Sequence, residues 1–184
     1  MDETISDAEH RMQSAVSALD RELDSVRTGR ARPALVETLK IEYYGTPTPL
    51  NQVASINAPE PHLITIQPWD KTQLGTIEKA IQKSDLGLTP TNDGNIIRLA
   101  IPALTEDRRK EFVKVVHKKV EDGRVAIRNV RRDSLEHLRK AQHDKEISDD
   151  EERRAQERLQ KLTDRYVAEI DKHGHNKEQE LLEV

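Results

Sequence analysis

All eight prolines of this 184-residue chain lie between Pro33 and Pro102, leaving residues 1–32 and 103–184 with none. Proline lacks an amide N–H and clashes with the preceding helical turn, so it is kept out of helix interiors. Two proline-free arms therefore flank an insert of different character. Charge density marks the same division: residues 31–104 carry 13 charged side chains in 74 positions, the arms 51 in 110. The expected organisation is a helical domain built from residues 1–30 and 104–184, with a smaller domain, 31–103, inserted into it.

Periodicity supports the helices. In the first arm Ile5, Ala8, Met12, Val16, Leu19, Leu23 and Val26 recur at steps of three and four, one face of a helix predicted to end near Gly29. The second arm opens after Thr105, a natural N-cap, with Glu106 and Asp107 complementing the helix dipole. Its seam runs through Val113, Val116, Val120, Ile127, Val130 and Leu138, with Gly123 and Ser134 filling two of the intervening seam positions. The third begins at Ser148, where Ser148-Asp-Asp-Glu151 reads as a capping box, and continues through Ala155, Leu159, Leu162, Tyr166 and Ile170. Only 34% of residues are hydrophobic and five are aromatic, so the core is a thin aliphatic seam. Narrow seams of this kind predict an elongated three-helix bundle with coiled-coil-like packing. The second helix, roughly 105–143, is expected to span on the order of 58 Å.

In the insert, Val36–Tyr43, Gln52–Ile56, Leu63–Gln67 and Ile96–Ile101 read as strands. Asp70 is placed to cap a helix bearing Leu74, Ile77, Ala80 and Ile81, and Asn92-Asp93-Gly94 is a turn signal. The fold class is α+β, with the small β/α/β domain joined by a two-strand hinge at Arg32, Pro33, Pro102 and Ala103.

Several chemistries are excluded or disfavoured. The chain has no Cys, hence no disulfide or thiolate chemistry. Its N-terminus is acidic and lacks an apolar h-region, and no apolar run approaches the ~20 residues of a membrane span, so a cytoplasmic protein without membrane contact is expected. No phosphate-binding G-x-x-x-x-G-K-[ST] loop or G-x-S-x-G elbow occurs. His173-Gly174-His175 lacks a third ligand at recognisable spacing and reads as a frayed helical turn. Asp149–Glu152 lacks the glycine and spacing of a calcium loop. No catalytic residue, metal or cofactor is assigned.

One feature points to a partner. Residues 108–140 hold 12 Lys/Arg against 5 Asp/Glu. At ~100° per residue, Lys110, Lys114, Lys118, Arg128, Arg132 and Arg139 share one side of the helix, interrupted chiefly by Glu121. Such a stripe neutralises a series of phosphates, or else is a solvated coiled-coil flank whose bases pair with acids elsewhere in the bundle. Three guanidiniums within five residues, Arg128, Arg131 and Arg132, favour an anionic partner. Arg27, Arg30 and Arg32 form a second basic group, where Gly29 has the bland role of a helix C-cap. A non-catalytic RNA-binding rod and a coiled-coil interaction protein both remain open on these grounds.

Arg27-Thr-Gly-Arg-Ala-Arg-Pro33, Tyr43-Tyr-Gly-Thr-Pro-Thr-Pro-Leu50, Asp93-Gly-Asn95 with Ile97-Arg98, Leu104-Thr105, Val130-Arg-Arg-Asp133 and Asp144-Lys-Glu-Ile147 together resemble the bacterial ribosome recycling factor family, end to end and in order. Ala103 departs from the proline usual there. The resemblance implies an L-shaped molecule resembling transfer RNA in outline and no enzymatic activity. It further implies a monomer that binds the post-termination 70S ribosome through large-subunit rRNA. With elongation factor G and GTP it would dissociate the ribosome into subunits, releasing mRNA and tRNA. On that basis Arg27, Arg30, Arg128, Arg131 and Arg132 are the expected rRNA-binding residues. Periodicity sets Arg131 at the edge of the seam, whereas the resemblance makes it central.

Overall fold

A computed structural model describes residues 1–183. The chain folds as two compact units: Met1–Thr28 with the described residues from Glu106 onward, and Gly29–Thr105. The division thus falls two residues outside each expected boundary. Backbone bonding explains the shift at the first crossing. The Gly29 carbonyl accepts from His62 Nδ1 at 2.8 Å, and Ala31 N donates to the Pro61 carbonyl at 2.7 Å, so the chain is already tied into the insert there.

The helical unit comprises α1 (Asp2–Asp24), α4 (Glu106–His143) and α5 (Asp149–Leu182). Ion pairs give their directions. Glu22 with Lys119 and Arg11 with Asp133 set α4 antiparallel to α1; Asp2 with Arg158 and Glu9 with Arg165 set α5 parallel to it. The predicted seams are buried almost residue for residue, Gly123 and Ser134 included. Val113 is only partly covered. The seam of α5 runs further than predicted, through Gly174, Lys177 and Leu181. The ammonium of buried Lys177 reaches Glu180 one turn on, at 3.4 Å.

Helix α1 stops at Asp24, short of Gly29. At that end Ser25 Oγ donates to the Glu22 carbonyl at 2.6 Å. Val26 N bonds to Leu23 O at 3.0 Å. Gly29 is therefore no helix cap. Its φ of +72° suits glycine, and a Cβ there would sit 3.1 Å from Leu104 Cγ. At the far end of α4, Lys145 takes the left-handed conformation (φ 59°), with Glu146 N bonded to Ala141 O and Lys145 N to Gln142 O. This is a Schellman stop built without glycine. The Ser148 capping box forms as predicted, Ser148 Oγ accepting from Glu151 N and Glu151 Oε2 from Ser148 N.

The inserted unit has a four-stranded antiparallel sheet in the order β3 (Ala54–Glu60), β4 (Leu63–Pro68), β6 (Ile97–Ala100), β5 (Pro90–Asn92). A separate hairpin pairs β1 (Lys40–Tyr43) with β2 (Thr46–Pro49). Helix α3 (Leu74–Lys83) covers a core of Ile41, Leu50, Ile64, Ile66, Ile77, Ile81, Ile97 and Leu99. Pro59 and Pro90 lie in the edge strands β3 and β5, and Pro68 is the last residue of β4, positions where a missing donor is tolerated. The strand expected at Val36–Tyr43 starts only at Lys40, and Val36 and Glu37 belong to the short helix α2 (Ala34–Glu37), because Pro33 holds φ −51° and its carbonyl accepts from Val36 N and Glu37 N. The strand expected at Gln52–Ile56 starts only at Ala54, after a 3-10 turn at Leu50–Gln52. Strands β2 and β5 were not anticipated. Asp70 caps a 3-10 turn at Lys71–Gln73, which leads into α3.

The β5–β6 turn depends on Asp93. Its Oδ1 accepts from Asn95 N at 2.9 Å and Ile96 N at 2.8 Å, and its Oδ2 is paired with Arg98. The two backbone donors foremost, then Arg98, lower its pKa to about 2. An unfolded Asp titrates near ~3.9, so the stabilising contribution is complete above that value and is lost as pH falls toward 2. Asp93→Asn is expected to flatten the acid limb of the insert's stability. Unfolding followed by the fluorescence of Trp69, the single tryptophan, checks this, and a parent-like acid limb in the variant would refute it.

Candidate nucleic-acid interface

Helix α4 buries one narrow face, so everything opposite that face is solvent-facing by geometry. Arg128 and Arg132 lie on that outward side and are exposed; Arg131, nearer the seam, is partly buried. The three are neighbours on the helix surface at spacings of three and four. Arg132 donates to Asn129 Oδ1 at 3.3 Å, an uncharged partner. Among the described residues Arg131 has neither hydrogen bond nor ion pair, and the same holds for Lys114, Lys118 and Arg139 on the outward side. The edge position predicted for Arg131 by periodicity is the one it occupies.

Other bases of α4 are held by acids. Lys119 reaches Glu22 at 2.9 Å, and Lys110 reaches Glu106 at 2.8 Å. Arg124 bonds Asp171 of α5 at 2.6 Å and Glu121 at 3.1 Å, and these two hydrogen bonds raise its pKa. Arg128 Nη1 bonds Glu121 at 3.2 Å. The coiled-coil-flank alternative is thus correct for some bases and fails for others. Lys114, Lys118, Arg132 and Arg139, which have no acid partner, face outward, Arg131 lies at the seam edge, and outward Arg128 is shared with Glu121.

Asp133, the acid of the Arg131-Arg132-Asp133 run, is taken up by Arg11 of α1 at 2.8 Å. That hydrogen bond, with the Arg11 charge behind it, holds its carboxyl below the usual range against desolvation. Arg11 thereby keeps Asp133 turned toward α1 and off the two arginines beside it. No local signal reveals this role, since the partners are 122 positions apart in the chain.

The first-arm arginines are not part of this group. Arg27 is exposed and lies beyond the end of α1, past the level of the Glu22–Lys119 pair. Arg128 is nine residues further along α4, at least ~13 Å down the axis. Arg30, expected on the helical domain, belongs to the inserted unit, where it lines an open cleft with Arg32, Pro59, Glu60 and Pro61. The four expected hinge residues also fall inside that unit. Arg32 and Pro33 lend their carbonyls to the turns of α2, and Ile101, just before Pro102 and Ala103, bonds His62 O at 2.8 Å.

His173-Gly174-His175 is not a frayed turn but an intact stretch inside α5, seven residues before its end at Leu182. His173 Nδ1 is paired with Asp20 of α1, and Gly174 packs on Val120. Among the described residues no group of His, Asp and Glu could hold a metal ion, and no helix is long and apolar enough to cross a membrane.

Residues 19–182 match the family model described as ribosome recycling factor. The chain belongs to the ribosome recycling factor family. It is 52% identical to the ribosome-recycling factor of Thermomicrobium roseum over 184 residues, covering all of both chains. It is 55% identical to that of Bacillus velezensis over 182 residues, covering 99% of this chain and 98% of that one. A solution structure of the ribosome recycling factor superposes with a TM-score of 0.78 at 45% identity, covering 100% and 97% of the two chains. A second match, with a TM-score of 0.65 at 46% identity and 99% and 98% coverage, comes from models of the T. thermophilus ribosome recycling factor and the E. coli elongation factor G bound to the E. coli post-termination complex. Ribosome recycling factors are non-enzymatic translation factors, in keeping with a chain whose distinctive chemistry is a basic helix face.

Proposed function

We propose that this recycling factor binds the post-termination 70S ribosome in the bacterial cytoplasm as a monomer, with the outward face of α4 against large-subunit rRNA. Elongation factor G with GTP then acts on the bound factor, the subunits separate, and mRNA and tRNA are released. The observation that carries the RNA contact is the Arg128, Arg131 and Arg132 cluster, in which neither Arg131 nor Arg132 is ion-paired among the described residues. Guanidinium forks match phosphate oxygens, and a base without an acid partner needs no exchange before binding one. Arg27 and Arg30 supply further cationic points. Two crossings, Thr28–Gly29 and Thr105–Glu106, join the units covalently, and we assign the pivot of the factor to them.

Post-termination ribosomes mixed with the factor, elongation factor G and GTP are expected to resolve into free subunits on a sucrose gradient only when all three are present. Intact ribosomes in the complete mixture, with the factor bound, would contradict the splitting step and leave the RNA contact standing.

A further inference from the structure

The basic stripe of α4 is broken by one carboxylate, Glu121, and that carboxylate is bracketed by two arginines of its own helix. Arg124 Nη1 donates to Glu121 Oε2 at 3.1 Å, and Arg128 Nη1 to Oε1 at 3.2 Å. Arg124 is anchored from α5, its Nε bonded to Asp171 Oδ1 at 2.7 Å. The series Asp171, Arg124, Glu121, Arg128 therefore alternates in charge from the bundle outward. Arg124 is the most covered member, its side chain 33% exposed against 46% for Asp171, 50% for Glu121 and 59% for Arg128. Arg124 holds the acid in place, and the acid faces the arginine assigned to RNA.

We propose that Glu121 occupies on Arg128 the anion position that an rRNA phosphate takes in the complex, and so limits how tightly the factor holds the ribosome. This rests on the assignment of Arg128 to RNA. Carboxylate and phosphate oxygens compete for the same guanidinium donors, and a phosphate at Arg128 meets the fixed negative charge of Glu121 beside it. Lys118 and Lys114, one and two turns before Glu121, and Arg132, one turn after Arg128, carry no such acid. An unbroken cationic helix binds RNA of any sequence, whereas a factor working in rounds must leave its site. Glu121 is a positioning residue acting through Arg128.

The test uses the intact chain and purified 70S ribosomes, with co-sedimentation measured across a salt series for Glu121→Gln, Arg128→Ala and the double variant. Gln keeps an acceptor for Arg124 and removes only the charge. Glu121→Gln is expected to bind roughly 3- to 10-fold tighter, with the slope of log affinity against log salt steeper by up to about one. The gain should vanish in the Arg128→Ala background, and repeated-round splitting should slow. Weakened binding by Arg128→Ala together with a neutral Glu121→Gln would overturn this inference alone. A gain that persists without Arg128 would also overturn it. Parent-like binding by Arg128→Ala would overturn the arginine assignment and this inference together. Thermal unfolding of the helical unit, expected to be unchanged, is the structural control.

Discussion

Ribosome affinity is expected to fall by roughly 100- to 1,000-fold when Arg128, Arg131 and Arg132 are replaced together by alanine. Hydrogen bonds to charged groups contribute ~1.5–3 kcal/mol each, and the lower figure for three arginines, about 4.5 kcal/mol, lies slightly beyond that range, which allows for partial compensation by water and neighbouring cations. The unfolding transition of the helical unit should stay in place. None of the three belongs to the buried seam, and alanine is the best helix former available at these positions. The one ion pair lost, Arg128 with Glu121, is solvent-exposed and such pairs contribute ~1 kcal/mol at most. The salt slope should drop by about two to three, one unit per phosphate contact. Co-sedimentation with ribosomes across a salt series measures both quantities. A triple variant that sediments like the parent would remove this cluster from the interface. Replacing the three by lysine separates charge from geometry, since lysine keeps the cation but loses the bidentate fork.

Gly174→Ala should destabilise the bundle by about 1–3 kcal/mol, although alanine normally favours a helix over glycine by ~1 kcal/mol. A Cβ at position 174 would fall far inside van der Waals contact with Val120 Cγ2. Valine in a helix is confined to essentially one χ1 rotamer, so the methyl has nowhere to turn and α4 and α5 must part. Gly123 is the internal comparison. A Cβ there meets the terminal Cδ1 of Ile170 at 3.0 Å, a flexible end that moves aside cheaply. Gly123→Ala should therefore cost much less than Gly174→Ala. Thermal unfolding followed by circular dichroism at 222 nm, a wavelength dominated by the helices, ranks the two. Equal costs would contradict the close approach at Val120. Val120→Ala in the Gly174→Ala background should recover part of the loss, an interaction visible only in the double variant.

The helices were legible because their information is local. A seam spaced at three and four, Ser148 followed by Glu151, and the absence of proline from the arms each act within a few residues. Gly29 misled for the opposite reason. Glycine after an apolar face normally marks a helix end, but α1 has already ended at Asp24, and Gly29 serves a close approach to Leu104 75 positions away. The insert was legible in class and blurred in detail. Strands β2 and β5 are short and rich in Pro and Thr, and their pairing comes from neighbours across the sheet rather than from their own pattern. His173-Gly174-His175 looked frayed because a glycine between polar residues weakens a helix taken alone; packing against Val120 and Asp20 supplies what the segment lacks.

At the candidate interface, sequence alone set the number and spacing of the cations, the outward placement of Arg128 and Arg132, and the edge position of Arg131, because 100° per residue is a property of the backbone. Which of those cations are engaged was decided by tertiary structure. Arg11 claims Asp133, Asp171 claims Arg124, and Glu22 claims Lys119, each from another helix. Charge on a helix is countable from its letters, but the partner of each charge depends on the register of three helices, and that register is set by how their buried seams interlock.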